Sequence, residues 1–358
     1  MFLTITWASE VGIHLGPITL RYYSLLFVIG FALGYRMMRK WFADSKISET
    51  AIDTLLTYMV VATVVGARLG HCLFYAWDYY SQNPLEILYV WKGGLASHGA
   101  AIAIPIAMFL FAKKVINKPF LWMMDRLVIT VALAGAFIRI GNWMNSEIYG
   151  DPSNSTFQTV FAQPVIDVVE SQYGHLFTHA TLEKREAAEL VTDSLTLPAY
   201  RLVVTTLEGT GMGELQSTWQ TQLRPHLSLK DRDNVHFIAL DGSFFIPVEG
   251  QPNTYSVEGY GIPRHPSQWY EALAYFAIFG VLYWLFSSKG WGEKEGKLFG
   301  LFLVLVFGAR FFIEFLKANQ SSFESVMAFN RGQQLSIPFV LIGLFLLIRS
   351  TQGKNQPS

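Results

Sequence analysis

The sequence predicts an all-α polytopic membrane protein with seven transmembrane helices and an inserted, exported α+β domain. Three observations predict this class. Of the 358 residues, 51% are hydrophobic and 15% are charged, whereas soluble domains carry about 25% charged residues. Apolar runs close to the roughly 20 residues that cross a bilayer recur along the chain. One long polar stretch separates the fourth run from the fifth.

Seven segments are candidates for spanning helices: about 19–38, 51–75, 95–112, 121–143, 266–286, 297–316 and 334–349. Their connections alternate in cation content. Arg36, Arg39 and Lys40 lie at the end of the first segment, and Lys113 and Lys114 follow the third. Because cytoplasmic loops carry the excess of Lys and Arg, we expect an exported N-terminus and a cytoplasmic C-terminus.

The predicted organisation has three parts. Residues 1–150 carry helices one to four, 151–258 form the exported domain, and 259–358 carry helices five to seven and a short cytoplasmic tail. Within the exported part, "AYRLVVTTLEG" and "NVHFIALDGSFFIPVEG" are typical of strands between Gly and Pro. The stretch "THATLEKREAAELVTD", residues 178–193, predicts a short amphipathic helix with a Thr cap.

Composition limits the classes of partner and packing. The formal net charge is zero, so nothing indicates a nucleic-acid partner. The single cysteine, Cys72, lies in an apolar run and is predicted to be a buried, unreactive thiol. Glycines four residues apart, Gly30–Gly34 and Gly66–Gly70, predict closely packed helices.

Ionisable residues occur inside the spans, where each costs about 2.5–3.5 kcal/mol on insertion scales. Arg68, Arg139, Arg310 and Glu314 fall in the later portions of helices two, four and six. These helices run outward in the predicted topology, so the charges lie in the outer half of the bilayer. Asp125 and Arg126, at the inner start of helix four, predict a capping or interface role instead.

The odd-numbered helices bring polar groups to the same level, because they start on the outside. Tyr23, His98 and Glu271 lie near the starts of helices one, three and five. Arg139 and Asn142 are three residues apart and share a helical face. The sequence therefore predicts one polar cavity near the outer leaflet.

Each residue also has a structural interpretation. Arg68 could reach the outer surface, and Arg310 with Glu314 could be a structural ion pair. Tyr23 could be an interfacial aromatic anchor, and His98 could be a hydrogen-bonded histidine at a helix start. Their common depth is the reason for preferring a shared site.

Fixed arginines in such a cavity suit a phosphate or carboxylate, which they bind in a bidentate manner without losing their proton. At the outer leaflet the abundant anionic molecule is a phospholipid. Asn142 and Asn145 could orient oxygens, and His98, Tyr23 or a carboxylate could take a proton from a nucleophile. The spans contain neither G-x-S-x-G nor H-E-x-x-H, so covalent enzyme chemistry is not indicated.

Six segments, in order along nearly the whole chain, resemble the signature elements of bacterial prolipoprotein diacylglyceryl transferases. The segment from Arg139 to Gly150 resembles the family pattern G-R-x-G-N-F-x-N-x-E-x-x-G. The six segments are "RYYSLLF", "GGLASHGAAIA", "RIGNWMNSEIYG", "RHPSQWYEAL", "GARFFIEFLK" and "RGQQLSIP".

This resemblance implies transfer of the diacylglyceryl group of phosphatidylglycerol to the lipobox cysteine of preprolipoproteins, with a thioether formed and glycerol 1-phosphate released. It implies a multi-pass protein of the bacterial inner membrane, with its site toward the outer leaflet, and no metal or soluble cofactor. The implied catalytic residues, with His98 as candidate base, are Arg139, Arg310, His98, Tyr23, Asn142 and Glu314. The implied substrate-binding residues are Arg68, Asn145, Glu147, Gly150, Glu271, Gln268, Gln333 and Ser336.

The chain departs from the family pattern at Lys317, where the pattern has Arg and where we expect a position at the rim of the site. The polar stretch 151–258 is also longer than the usual exported part. Two other functions compete with the transferase: a transporter or channel, because intramembrane charges also mark substrate pathways, and a scaffold whose exported domain binds an envelope partner.

Overall fold

A computed structural model describes residues 3–8, 12–16, 18–192, 194–228, 235–318 and 329–352. The chain divides into two compact units. The first unit comprises Met1–Phe27, Ala136–Ala274 and Ala309–Ile337, and the second comprises Val28–Gly135, Tyr275–Gly308 and Pro338–Ser358. The boundaries fall inside five long helices, and each of these helices contributes residues to both units.

The helices of the described residues are, in chain order, α1 (Tyr22–Asp44), α2 (Thr50–Phe74), α3 (Trp77–Tyr80), α4 (Ser97–Lys114), α5 (Phe120–Met144), α6 (Gln163–Asp167), α7 (Met212–Thr218), α8 (Arg224–Ser228), α9 (Ser267–Ser288), α10 (Lys297–Ile313) and α11 (Arg331–Gln352). Each of the seven predicted spanning segments falls on one long helix: α1, α2, α4, α5, α9, α10 or α11.

Five stretches of the described helices are long and apolar enough to cross a membrane: Thr50–Phe74, Phe120–Met144, Ser267–Ser288, Lys297–Leu316 and Arg331–Ser350. Helices α1 and α4 are more polar. Helix α4 ends in two lysines, and the second half of α1 carries Arg36, Arg39, Lys40 and Asp44. The protein is therefore a mainly helical polytopic membrane protein.

Glycines bring α2 and α4 together in the second unit. A Cβ atom on Gly70 would lie 2.7 Å from the Cα atom of Gly99, and a Cβ on Gly66 would also meet the Gly99 backbone. Close packing at Gly66 and Gly70 is thus confirmed. Gly34 packs against Thr130, because a Cβ atom on this glycine would lie 3.2 Å from the threonine Cβ. Cys72 is fully buried, as predicted.

Asp125 has the predicted capping role, but the helix that it caps is α10. Its carboxylate accepts hydrogen bonds from the backbone N–H groups of Gly296 at 2.6 Å and Phe299 at 2.8 Å. These groups lie at the start of α10, where the first N–H groups have no partner within the helix. The neighbouring Arg126 guanidinium lies over the Trp122 ring, 3.6 Å from its centroid.

The strands of the described residues all belong to the first unit: β1 (Leu3–Trp7), β2 (Gly12–Leu15), β3 (Ile18–Arg21), β4 (Phe157–Phe161), β5 (Phe177–Lys184), β6 (Leu190–Val191), β7 (Thr196–Leu197), β8 (Ala199–Thr206), β9 (Phe237–Ala239), β10 (Ile246–Pro247) and β11 (Thr254–Gly261). One antiparallel sheet has the order β10-β11-β8-β5, and β9 also pairs with β11. The pairs β2–β3 and β6–β7 are antiparallel, and β1–β4 is parallel.

The sheet and a helical segment enclose a hydrophobic core in the first unit. Buried and partly exposed residues alternate along β8, as expected for a strand with one covered face. Helix α7, the π-helical turn Trp219–Leu223 and α8 present an apolar stripe at a spacing of four residues: Leu215, Trp219, Leu223 and Leu227. The strands predicted in "AYRLVVTTLEG" and "NVHFIALDGSFFIPVEG" are confirmed as β8, β9 and β10.

The helix predicted for residues 178–193 is wrong. Most of its first half is strand β5, and Leu190–Val191 is the short strand β6. Ala180 and Leu182 point into the core with the period of two that a strand requires, and Glu183 pairs with Arg201 across the sheet, with Arg201 Nε donating at 2.8 Å. Pairing with β8 outweighs the helical preference of the Glu-, Lys- and Ala-rich sequence.

Candidate active site

A hydrogen-bonded polar cluster forms where α5 ends. Arg139 Nη1 donates to Asn142 Oδ1 at 3.1 Å, as the spacing predicts. Asn142 Nδ2 donates to Glu147 Oε1 at 2.8 Å, and Asn145 Nδ2 donates to the same oxygen at 3.4 Å. Asn142 therefore connects the arginine on the helix to the glutamate in the following loop, and Asn145 holds the same carboxylate.

The loop after α5 has an unusual backbone. Ser146 and Ile148 have positive φ angles, of 50° and 57°. The left-handed region is unfavourable for L-residues, and a β-branched residue such as isoleucine is a clear outlier there. Such strained residues persist where surrounding contacts hold them, and they concentrate at functional sites.

Five ionisable residues of the first unit form a row of alternating charge. The Arg139 Nε atom lies 2.8 Å from Glu271 Oε2, in an ion pair that is not an aligned hydrogen bond. Lys317 Nζ lies 3.4 Å from Glu271 Oε1 and 3.7 Å from Glu314 Oε2. Arg310 Nε lies 4.0 Å from Glu314 Oε2, so the predicted pairing of these two residues is present but loose.

Exposure differs along this row. The side chain of Glu271 is fully buried and that of Lys317 is 3% exposed, whereas that of Arg310 is 34% exposed. Lys317 therefore lies inside the row and not at the rim, because it bridges two carboxylates that would otherwise repel each other. Burial lowers the pKa of Lys317, and the nearby Glu271 carboxylate partly offsets this shift.

Three segments of backbone pack side by side around Gly150. The Gly150 N–H donates to His265 O at 2.9 Å, and the Asp151 N–H donates to Leu316 O at 3.0 Å. A Cβ atom on Gly150 would come within 2.5 Å of Leu316 O and of the His265 side chain. Only glycine fits here without displacing one of the neighbouring segments, which explains the residue at this end of the signature.

The start of α9 holds the same loop through side chains. Gln268 Nε2 donates to Glu147 O at 2.8 Å, and Ser267 Oγ donates to Ile148 O at 2.9 Å. The loop carbonyls thus have partners although their backbone is not regular. Gln268 Oε1 and Asn145 Oδ1 are buried and accept no hydrogen bond from the described residues.

Arg264 holds the end of the loop after α5 in place. It is 1% exposed, and its guanidinium donates to Gly150 O at 3.2 Å and to Val235 O at 2.9 Å. It also lies 5.0 Å from the centroid of the Tyr149 ring. His236 packs edge-on against the same ring, with the centroids 4.6 Å apart. The signature loop is therefore fixed by Arg264 and His236, which belong to the same unit.

The remaining predicted site residues of the first unit lie on helices α11 and α1. Gln333 and Asn330 exchange hydrogen bonds that cap α11, and Gln333 Nε2 reaches Phe311 O at 3.4 Å. Ser336 Oγ is buried and donates to Gly332 O at 2.7 Å. On α1, Tyr23 packs on Gly141, with 2.8 Å from Tyr23 Cδ2 to the position of a Cβ atom on that glycine.

Two predicted site residues, Arg68 and His98, belong to the second unit. Arg68 is buried and donates only to backbone carbonyls among the described residues: Ile87 O at 2.9 Å, Gly93 O at 2.7 Å, Gly94 O at 3.3 Å and Glu86 O at 2.6 Å. Arg68 therefore does not reach the surface as an exposed cation. His98 is exposed, and its Nδ1 atom lies 3.4 Å from the Tyr75 hydroxyl.

Comparison with known proteins identifies the family. Residues 10–349 match the family model described as prolipoprotein diacylglyceryl transferase. The chain belongs to this family. Proteins named phosphatidylglycerol–prolipoprotein diacylglyceryl transferase are similar to it along most of their length. The one from Tolumonas auensis is 34% identical over 347 residues, which are 97% of each chain. That from Chloroherpeton thalassium is 30% identical over 338 residues, 94% of this chain and 91% of the relative. That from Porphyromonas gingivalis is 31% identical over 338 residues, 93% and 89% of the two chains.

The chain is thus a transferase of lipoprotein biosynthesis. Two residues of its polar network, Lys317 and Arg264, are not predicted as site residues from the sequence. Lys317 is expected at the rim because a helix end suggests a solvated position. Arg264 opens the segment "RHPSQWYEAL", but nothing in its local pattern shows that its guanidinium is buried. The available signal is that this arginine is the first residue of a segment that resembles a signature element of the family.

The arrangement of this transferase suits an anion. Arg310 is the most exposed cation of the row, and its one ion pair among the described residues is long. The other cations hold carboxylates in place. In the described part of the chain no three His, Cys, Asp or Glu residues are grouped as metal ligands.

Proposed function

We propose that this chain transfers the diacylglyceryl group of phosphatidylglycerol to the thiol of the lipobox cysteine of exported preprolipoproteins. The names of its relatives state such a donor and such acceptors. In the proposed step the thiol loses its proton and the sulfur forms a thioether bond with the glyceryl carbon. The bond between that carbon and the phosphate oxygen breaks, and glycerol 1-phosphate leaves with the electron pair.

The observation that carries the proposal is the row of alternating charge that ends in Arg310. A departing phosphate gains negative charge as the carbon–oxygen bond breaks, and a guanidinium held in advance stabilises that charge without reorganising. Arg310 binds the phosphate in this proposal. Arg139, held by Asn142 and Glu271, supplies the second positive charge.

The neutral side chains orient the lipid head group. Asn145 Oδ1 and Gln268 Oε1 are buried acceptors without a donor among the described residues. A head-group hydroxyl supplies such a donor and removes the cost of burying an unpaired carbonyl, about 1–3 kcal/mol. The glycerol head group of phosphatidylglycerol carries two hydroxyls, which matches two acceptors.

The proton of the thiol goes to His98, Tyr23 or the Glu314 carboxylate. His98 is the candidate from the sequence, and imidazole is the side-chain group that titrates nearest to neutral pH. Glu314 Oε2 is buried and accepts no hydrogen bond from the described residues, although Lys317 and Arg310 lie nearby. Because two cations already engage that carboxylate, His98 stays the candidate base named from the sequence.

The proposal includes an arrangement in the bacterial inner membrane. The chain crosses seven times, with an exported N-terminus, a cytoplasmic C-terminus, an exported α+β domain at 151–258 and the site toward the outer leaflet. The distribution of Lys and Arg and the seven long helices of the described residues support this arrangement.

A lipidation assay tests the function. The purified full chain in vesicles of phosphatidylglycerol is given a peptide with a lipobox cysteine, and the products are examined by mass spectrometry. We expect the peptide to gain one diacylglyceryl group on sulfur, with one glycerol 1-phosphate released per peptide. A peptide with serine in place of the cysteine is the matched control. Lipidated serine peptide, or no product from either peptide, would contradict the proposal.

A further inference from the structure

Strand β1 has one open edge. It pairs with β4 in parallel register, from Leu3 opposite Phe157 to Trp7 opposite Phe161. The Leu3 N–H donates to Thr156 O at 3.0 Å, and the Ala162 N–H donates to Trp7 O at 2.9 Å. Because a parallel ladder uses alternate residues, the odd-numbered residues of β1 face β4.

The even-numbered residues Thr4 and Thr6 therefore direct their N–H and C=O groups away from β4. Within the described part of the chain these backbone groups have no hydrogen-bond partner. Both residues are only partly buried. Unpaired backbone groups along a strand edge are a template on which another extended chain can pair.

Side chains on both faces of β1 hold the strand in place. The Thr4 hydroxyl accepts a hydrogen bond from Gln158 Nε2 at 2.8 Å, and the Thr6 hydroxyl is hydrogen bonded to that of Tyr200. On the other face the Trp7 ring packs at a tilt against Trp143, with centroids 4.8 Å apart, and its Nε1 donates to Trp143 O at 2.9 Å. The edge is thus formed before any partner arrives.

The edge is continuous with the active site. On the far side of β4, Thr159 exchanges two backbone hydrogen bonds with Arg264, at 2.8 and 3.0 Å. The ladder thus leads from β1 through β4 to the segment that enters α9, which carries Gln268 and Glu271. At the Trp7 end, Trp143 lies one helical turn beyond Arg139 on α5.

Two other sheet edges of the first unit are blocked. On β5 the Glu170 carboxylate accepts a hydrogen bond from the Ala180 N–H at 2.9 Å. The edge strand β10 contains Pro247, which has no N–H group. Carboxylates and prolines at these positions prevent further pairing. The edge of β1 has neither device.

We propose that the open edge of β1 binds the acceptor polypeptide as an added β-strand and presents its cysteine beyond the Trp7 end. This inference rests on the proposed function for the identity of the peptide. Main-chain hydrogen bonds recognise an extended backbone whatever its side chains. That property suits an enzyme whose relatives are named for a class of acceptors and not for one protein.

Binding of backbone-methylated peptides tests the edge directly. The probe is a fluorescent lipobox peptide with serine in place of cysteine, bound to the full chain in vesicles, so that the readout does not depend on turnover. N-methylation is moved along the peptide one residue at a time. We expect Kd to rise by about fivefold or more at every second position, because each lost hydrogen bond is worth about 1 kcal/mol.

A matched pair of backbone changes in the protein completes the test. Replacing the Thr6 N–H by an ester oxygen keeps the side chain and removes an outward donor, and the same change at Ile5 removes a donor that faces β4. We expect the Thr6 change to weaken peptide binding at an unchanged thermal midpoint. The Ile5 change should not give this result. Binding that is absent, or that is weakened without a period of two and equally by both changes, would overturn the proposal. The lipidation assay reports separately on the proposed function.

Discussion

Arg139 and Arg68 are both arginines in the later portion of an apolar helix, yet their contacts differ in kind. Arg139 lies in the first unit and contacts the side chains of Asn142 and Glu271. Arg68 lies in the second unit and donates to four backbone carbonyls of the segment 86–94, with the Tyr80 ring 4.9 Å from its guanidinium carbon.

The difference shows that the depth of a charged residue in the membrane does not reveal which groups it contacts. An arginine whose donors all meet carbonyls holds an irregular segment in place, because one side chain then ties together backbone groups from separate points of that segment. An arginine beside carboxylates belongs to a charged network that a substrate anion can join. The contacts of Arg68 favour the first role, and its predicted part in substrate binding stays a prediction.

Of the substitutions considered, Arg310→Ala should lower activity the most. Arg310→Ala removes the most exposed cation of the row, so we expect kcat/KM for lipidation to fall by about 10²–10³-fold, the cost of losing one preorganised donor. Arg36→Ala, which removes an exposed arginine of α1, is the matched control. Equal activity of the two variants, both folded, would remove Arg310 from the site.

Lys317 tests whether the row acts as a unit. Lys317→Met leaves Glu271 and Glu314 without their shared cation, and loss of one partner of a buried pair costs about 3–5 kcal/mol. We expect a lower thermal midpoint and about a 10–100-fold lower kcat, with KM for phosphatidylglycerol less affected. Lys317→Arg restores the charge and should recover most of kcat. A methionine variant as active as the parent chain would show that the row is not needed.

Arg68→Met tests whether the arginine of the second unit has a structural role or binds substrate. The change removes the side-chain donor of the Ile87 and Gly93 carbonyls, and a hydrogen bond to a charged group is worth about 1.5–3 kcal/mol. We expect a fall of several degrees in the thermal midpoint, since 1 kcal/mol is roughly 2–4 °C in a domain of 150–250 residues. Turnover of the folded fraction decides the role: a loss comparable to that of Arg310→Ala, at an unchanged midpoint, would establish the substrate contact predicted from sequence.

The smallest expected effect concerns His236, which packs on Tyr149 beside Arg264. Burial, and then the Arg264 cation, lower the pKa of His236 well below 6.5. The unfolded chain therefore binds a proton that the folded chain does not, and stability falls as the pH drops below about 6.5, by at most about 1.4 kcal/mol per unit. Chemical unfolding between pH 7 and pH 5 measures the slope. His236→Phe should flatten it, and an unchanged slope would exclude this histidine as the source.

Local sequence predicts much of the fold because apolar length and strand alternation are local properties. All seven predicted spans lie on long helices, and the predicted strands at β8 and β9 are confirmed. The helix expected at 178–193 is a strand, since its pairing with β8 involves residues that are distant in sequence. Arg139 with Asn142 follows from helical spacing, whereas the contacts of Glu271 and Lys317, 46 residues apart, do not.

Three features follow from the sequence alone: the membrane class, the order of the signature segments and the set of ionisable residues within apolar helices. These depend on composition and on spacing along one element. Which charged groups meet is visible only in the folded chain. Lys317 is buried between two glutamates, Arg264 supports the signature loop, and the donors of Arg68 go to carbonyls. The physical reason is that sequence gives the depth of a side chain along its helix, while its partner depends on helix rotation and on packing against distant segments.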